Sequence, residues 1–142
     1  MTGYSKPIGK TDDAAKQLII DALEGSNTHG FDLDSIFHTD CWVVIEFLKC
    51  DTVPPSVSHP KFYWNQNWRK FASLWAITQK LEGRLYLVNY DDARDDFKVI
   101  RVESLTPSAD GGITSERTLN TDWEGFVRWY KGLNSAATPT WA

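Results

Sequence analysis

No apolar run in the chain approaches the ~18 residues that a membrane-spanning helix needs. Residues 1–10 (MTGYSKPIGK) lack the charged and then apolar pattern of a secretory leader. The expectation is therefore a soluble protein in a reducing, cytoplasmic setting, with no membrane partner. Cysteine is scarce. Cys41 and Cys50 bracket one candidate strand, and at ~3.3 Å per residue their α-carbons would stand roughly 30 Å apart, against the ~4.4–6.8 Å of a disulfide. They are not expected to bridge. The three histidines, His29, His38 and His59, make no zinc spacing with these cysteines, because the nearest pair, His38 and Cys41, has no second pair to complete four ligands. A glycine-rich phosphate loop is also missing: "GGITS" at Gly111 is followed by no lysine. The net charge of −4 excludes a polycation that coats nucleic acid, although an acidic protein can still carry one local basic face. Internal repeats and domain-splitting linkers are absent from the sequence as well.

What the chain does contain is enough for one hydrophobic core. Its 142 residues suit a single domain, and 42% hydrophobic against 24% charged places it well outside the disordered class. Seven tryptophans are more than a core of this size absorbs easily, so some rings are expected near the surface, where they can stack on a ligand or cover core edges.

Residues 1–10 show no periodicity and read as a flexible arm, 11–134 as one α/β domain, and 135–142 as a frayed tail. Thr11 is placed to cap a helix whose first turn holds Asp12 and Asp13, whose apolar face is Ala15, Leu18, Ile19, Ala22 and Leu23, and which stops at Gly25. "FDLDSIFHTD" (31–40) alternates with period two, setting Phe31, Leu33, Ser35 and Phe37 against Asp32, Asp34, Ile36 and His38. "CWVVIEFLKC" (41–50) follows almost directly, so the two runs are expected to pair as an antiparallel hairpin turning near Thr39-Asp40. The second run is nearly continuously apolar, as in a central strand covered on both faces. Three prolines make the next segment a loop. A helix is expected from about Gln66 to Glu82, with Gly83 ending it, then strands at "RLYLVNY" and "FKVIRVESL" joined by the acidic turn "DDARDD". The polar stretch from Thr106 to Asn120 reads as loop, and Thr121 with Glu124 fits a capping box that opens a last helix. The resulting order is α-β-β-α-β-β-α, an α/β (α+β) fold with a mixed central sheet flanked by helices.

Two groups of residues could carry chemistry. In the first, Asp34 and Glu46 come from adjacent strands and can together hold one Mg²⁺, a cation that prefers oxygen ligands and keeps several waters. Lys49 would orient or deprotonate the attacking water and offset charge on the transition state, with Asp32 able to assist or replace Asp34. The plainer reading is a solvated strand edge. It holds about evenly for the aspartates but less well for Glu46, which Val43, Val44, Ile45, Phe47 and Leu48 surround.

An aspartate on one strand, a hydrophobic-Glu-x-x-Lys strand beside it, and a helix on either side resemble the PD-(D/E)XK nuclease superfamily, over roughly Asp12 to Leu105. That resemblance implies a restriction-endonuclease-like fold and Mg²⁺-dependent cleavage of nucleic acid, DNA more than RNA. It would make Asp34 and Glu46 the metal ligands, Lys49 the motif lysine, and Glu24 or Asp21 an acidic residue contributed from the first helix. In the superfamily pattern one residue separates acid and lysine; here Phe47 and Leu48 intervene, and Leu33 stands where the pattern has proline. A regular strand would turn Lys49 away from Glu46, whereas a β-bulge within "EFLK" would restore a common face.

The second group is "SHPKFYWNQNWRKF" (58–71). Lys61, Arg69 and Lys70 offer charge for phosphates, and Tyr63 and Trp64 offer stacking surfaces, an interleaving suited to single strands or splayed bases. Against this, Trp68, Phe71 and Trp75 fit a core stripe, with Arg69 and Lys70 on the solvated face of the helix. The rival to an enzyme is the same scaffold with a degenerate site, binding nucleic acid or protein. A homodimer, or docking on a larger partner through exposed tryptophans, is a further reading.

Overall fold

The computed structural model describes residues 13–26, 30 and 33–135. The expected cap at Thr11, the first-turn Asp12, His29, the strand residues Phe31 and Asp32, the arm at 1–10 and the tail from 136 onward lie outside them. The chain divides into two units, Met1–Asp32 and Leu33–Ala142.

The first unit is described through α1 (Asp13–Leu23). Its end follows from backbone geometry: Glu24 and Gly25 both take positive φ, 49° and 88°, a conformation glycine adopts without steric cost. The Ser26 amide then donates to the Leu23 carbonyl at 2.8 Å. Along this helix Leu18, Ile19 and Ile20 are exposed.

The second unit is built on one five-stranded sheet in sequence order, from β1 (Ser35–His38), β2 (Trp42–Lys49), β3 (Arg84–Tyr90), β4 (Phe97–Thr106) and β5 (Gly112–Thr121). The β1–β2, β3–β4 and β4–β5 pairs are antiparallel, and β2–β3 is parallel. A parallel pair cannot be closed by a tight turn; here the crossover carries a short 3₁₀ turn at Pro60–Phe62 and α2 (Trp64–Lys80). A last helix, α3 (Trp123–Asn134), follows β5. Among the described residues the fold is thus α+β, with a mixed open sheet and three helices, none long and apolar enough to cross a membrane.

The apolar run of β2 is buried on both faces because each face has its own helix. On one side Val44, Leu85, Leu87, Ile100 and Val102 meet Trp64, Phe71 and Leu74 of α2. On the other, Val43, Ile45, Tyr86, Val88, Phe97 and Val99 meet Trp129 and Leu133 of α3. Ring geometry locks the second layer: Trp129 stands edge-on to Tyr86 at 5.2 Å, and Phe126 stacks on Phe97 at 4.5 Å. At the end of α2, Gly83 passes so close to Trp42 that a Cβ there would collide with its carbonyl oxygen. The return into β3 therefore requires glycine.

Three sequence-based expectations are corrected. The polar stretch 106–120 is mostly strand: β5 pairs with β4 from Thr121 to Gly112, so the order is α-β-β-α-β-β-β-α. An outermost strand keeps much of its surface wet, and Thr114, Ser115, Arg117, Thr118 and Asn120 are all exposed, so its composition reads as loop. The cap of α3 is Asp122, whose carboxylate accepts from the Gly125 amide at 3.0 Å, because Thr121 is still engaged as the last residue of β5. Within the described part of the first strand, pairing begins only at Ser35, leaving Leu33 and Asp34 before it. Cys41 and Cys50, at the two ends of β2, are both free thiols.

The proline-rich loop after β2 is held from inside the sheet. Asn89 of β3 is fully buried, and its amide donates to the carbonyls of Pro55 (3.2 Å) and Ser58 (2.9 Å). Asp96 accepts from the Ser56 amide at 2.9 Å. His59 accepts from the Lys61 amide through Nδ1 (3.0 Å), which leaves Nε2–H to donate to Glu116 at 2.8 Å. Asn89→Ala removes two buried hydrogen bonds and leaves two carbonyls without partners, an expected loss of about 2–4 kcal/mol. Urea unfolding should show it, along with faster proteolysis within 51–63.

Candidate active site

Alternation along β2 decides which side chains can meet. Val44, Glu46 and Leu48 face α2, whereas Val43, Ile45, Phe47 and Lys49 face the other way. The β2–β3 register runs unbroken from Val43↔Arg84 to Lys49↔Tyr90, so there is no bulge in "EFLK". Lys49 accordingly leaves the sheet opposite Glu46 and pairs with Asp92 (3.3 Å) and Asp51 (3.7 Å) at the surface. The expected convergence of Asp34, Glu46 and Lys49 does not occur, for this reason of register.

Another lysine occupies the place. Lys70, one full turn before Leu74 on α2, puts its ammonium 2.5 Å from Glu46 Oε2. Glu46 is 2% exposed, so its carboxylate has lost nearly all hydration. Asp34 stands beside it. In the β1–β2 register, Ile36↔Val44 and Ser35↔Ile45 bring residue 34 next to residue 46, and Asp34 Oδ2 accepts from the Phe47 amide at 2.9 Å. Burial pushes the Glu46 carboxyl up to about 7; the nearby Asp34 carboxylate pushes the same way, while Lys70 opposes both. Glu46 Oε1 receives no hydrogen bond. Its neighbour Asp34 is itself an acceptor, so the two carboxyls bond only when one of them holds a proton.

Glu46 opens on a cleft of about 420 Å³, which it lines together with Tyr63, Asn67, Lys70, Phe71 and the strand residues 47–49. Tyr63 is half-buried, and desolvation, with Cys50 and Glu46 adding to it, pushes its phenol up to about 12. It stays protonated at neutral pH and can donate to an anionic ligand. Asp34 and Glu46 are the carboxylates expected to take a metal, and a buried carboxylate oxygen without a donor is the kind of atom a cation would satisfy. Asp32 lies outside the described residues, among which no group of three or more His, Cys, Asp or Glu could hold a metal.

The residues expected to hold nucleic acid are divided among surroundings. Lys61 is exposed, its ammonium 5.5 Å from the centre of the exposed Phe62 ring, and Arg69 lies 5.0 Å from the half-buried Trp68. Tyr63 and Lys70 line the cleft. Trp64 is a correction: rather than offering a stacking surface it is 5% exposed, stacked on Phe71 at 5.4 Å, with Nε1 donating to the Ser108 carbonyl at 2.8 Å. The sequence suggested Lys70 as a contact for phosphate, with the solvated helix face as the alternative, but did not suggest its pairing with Glu46. A signal was available, since Tyr63, Asn67, Lys70 and Leu74 are spaced by four, three and four, one edge of the buried helical stripe.

Comparison of the chain with protein-family models, with curated proteins and with solved structures returned no match.

A carboxyl raised from 4.5 to about 7 binds protons better in the native state than in the unfolded chain. Its contribution to stability is therefore full below its unfolded value and is lost as pH rises through the folded one. Wild type should lose about 2–3 kcal/mol relative to Glu46→Gln between about pH 5 and pH 8. Urea unfolding at a series of pH values tests this; parallel curves for the two proteins would refute it.

Proposed function

We propose that this cleft binds a divalent cation, Mg²⁺ in the first instance, and hydrolyses phosphodiester bonds in nucleic acid, with DNA the expected substrate. Asp34 and Glu46 would hold the ion, and Lys70 would take the part that the sequence suggests for Lys49. The observation that carries this reading is a buried glutamate with one oxygen bound to a lysine and the other without a donor, beside a second carboxylate at an open cleft. Structural residues seldom leave a buried carboxylate oxygen in that state. The arrangement of elements supports the same reading. An aspartate precedes one strand, a glutamate lies mid-strand on its antiparallel neighbour, and a helix crosses to a parallel strand, consistent with a restriction-endonuclease-like core.

Bound there, the cation would supply Lewis-acid polarisation of a phosphoryl oxygen and lower the pKa of a coordinated water. The protein's own groups do the rest. Lys70 keeps a positive charge where negative charge builds on the phosphate and holds Glu46 in one orientation. The Phe47 amide fixes Asp34 Oδ2. Tyr63 and Asn67 line the approach and can position the substrate backbone.

A binding module with a degenerate site is the second reading. It is favoured by the absence, among the described residues, of any group of three or more His, Cys, Asp or Glu that could hold a metal, and by Lys49 pairing with Asp92 instead of Glu46. The two are separated by Mg²⁺-dependent cleavage of single- and double-stranded oligonucleotides. The nuclease reading expects Asp34→Ala, Glu46→Ala and Lys70→Ala each to lower the rate by about 10²-fold or more, with Lys49→Ala within a few-fold of wild type. Retention in a gel shift without cleavage, weakened by Lys70→Ala and Arg69→Ala, would instead identify the module.

A further inference from the structure

The α3 side of the sheet carries a second cationic feature that the cleft does not use. Directly paired residues on β2, β3, β4 and β5 form the row Ile45, Tyr86, Arg101, Arg117. Ile45 and Tyr86 are buried in the layer that includes Trp129, Arg101 is half-buried, and Arg117 is exposed, so the row emerges into solvent at its arginine end. The β4–β5 irregularity begins beyond Val102, so the Arg101↔Arg117 pair is regular. Opposite residues in such a pair hold their β-carbons about 4.5–5.5 Å apart, and like charges in that position destabilise the sheet. Among the described residues neither arginine enters an ion pair.

The described carboxylates nearby have other hydrogen-bond partners and form no ion pair with either arginine. Glu103 accepts from the Ser115 hydroxyl at 2.8 Å. Glu116 points to the opposite face and is held by His59 and Thr118. Asp40 acts on Arg84, which hydrogen-bonds Tyr86 two residues further along β3, so this third arginine has its charge partly offset. Two arginines at directly paired positions, neither in an ion pair, carry up to ten N–H donors, a chemistry suited to a tetrahedral oxyanion.

We propose that Arg101 and Arg117 form a binding site for a phosphate group on the α3 face of the sheet, separate from the carboxylate cleft. A phosphate bridging the two forks offsets their repulsion, so binding and stability are coupled. The group can arrive as free phosphate or as a backbone phosphodiester of nucleic acid; the chemistry is shared.

Thermal unfolding in sodium phosphate and in sodium chloride at equal ionic strength, for wild type, Arg117→Ala and Arg117→Glu, tests the site. Phosphate also stabilises proteins generally through exclusion from their surface, an effect common to all three. The specific part is the excess in wild type, expected to be a few degrees and absent from both variants. In chloride, Arg117→Glu should melt above wild type, because it turns a like-charge pair into an opposite one. Equal phosphate increments in all three proteins would overturn the proposal, as would a lower melting temperature for Arg117→Glu in chloride. Fluorescence anisotropy with a labelled single-stranded oligonucleotide identifies the source once the excess is seen. A roughly tenfold weaker affinity for Arg117→Glu assigns the site to a phosphodiester, and an unchanged affinity assigns it to free phosphate. Cleavage by the cleft should be retained in Arg117→Ala with a short substrate, so failure of the nuclease reading leaves this test unaffected.

Discussion

A carboxylate in the middle of a central strand has to be satisfied where it stands, and Glu46 draws its partner from the helix packed over it. The Lys70–Glu46 ion pair ties α2 to β2 at the point where two hydrophobic layers would otherwise bury an uncompensated charge. Removing either partner strands the other, whereas an apolar pair of similar volume could pack there at little cost. A charged pair beside a second carboxylate and an open cleft is the arrangement on which the proposed cation site rests.

The cleft depends on how firmly its surroundings are anchored. Asn89 holds the proline-rich loop from within the sheet, His59 and Asp96 hold it from two further sides, and Trp64 pins the start of α2 against the β4–β5 connection. Tyr63, Asn67 and Lys70 are thus presented from an ordered loop and helix start. On the proposed reading, a site that orients a phosphate would gain from such support, because displacement of a positioning group by about 1 Å is already costly.

The cations on the two faces of the sheet are compensated differently. On the α2 side, cations are mixed with carboxylates: Lys70 is bound to Glu46, and Lys61 and Arg69 lie against aromatic rings. On the α3 side, Lys49 is paired with Asp92 and Asp51, whereas Arg101 and Arg117 stand opposite each other without an ion pair among the described residues. A net charge of −4 hides this division, which is why composition alone argues only against a uniformly basic surface.

Local pattern determined a good deal. The helical stripes of α1, α2 and α3, the two-sided burial of β2, the hairpin into it, and the pairing of Asp34 with Glu46 all follow from spacings of two, three and four residues, which act over short range. Period two likewise placed Lys49 opposite Glu46 unless the strand bulged, and the straight register with β3 settled that choice. The tertiary structure decided the rest. Residues 112–121 became a strand because β4 offered an edge for their backbone groups, though their side chains stay in water. Trp64 turned inward because Phe71 and the Ser108 carbonyl were there to receive its ring and its N–H. Lys70 reached Glu46 across 24 positions of sequence, a meeting that depends on how α2 lies over the sheet and not on the neighbours of either residue. Spacing can state which face a side chain leaves by, but only packing brings together two charges from separate elements.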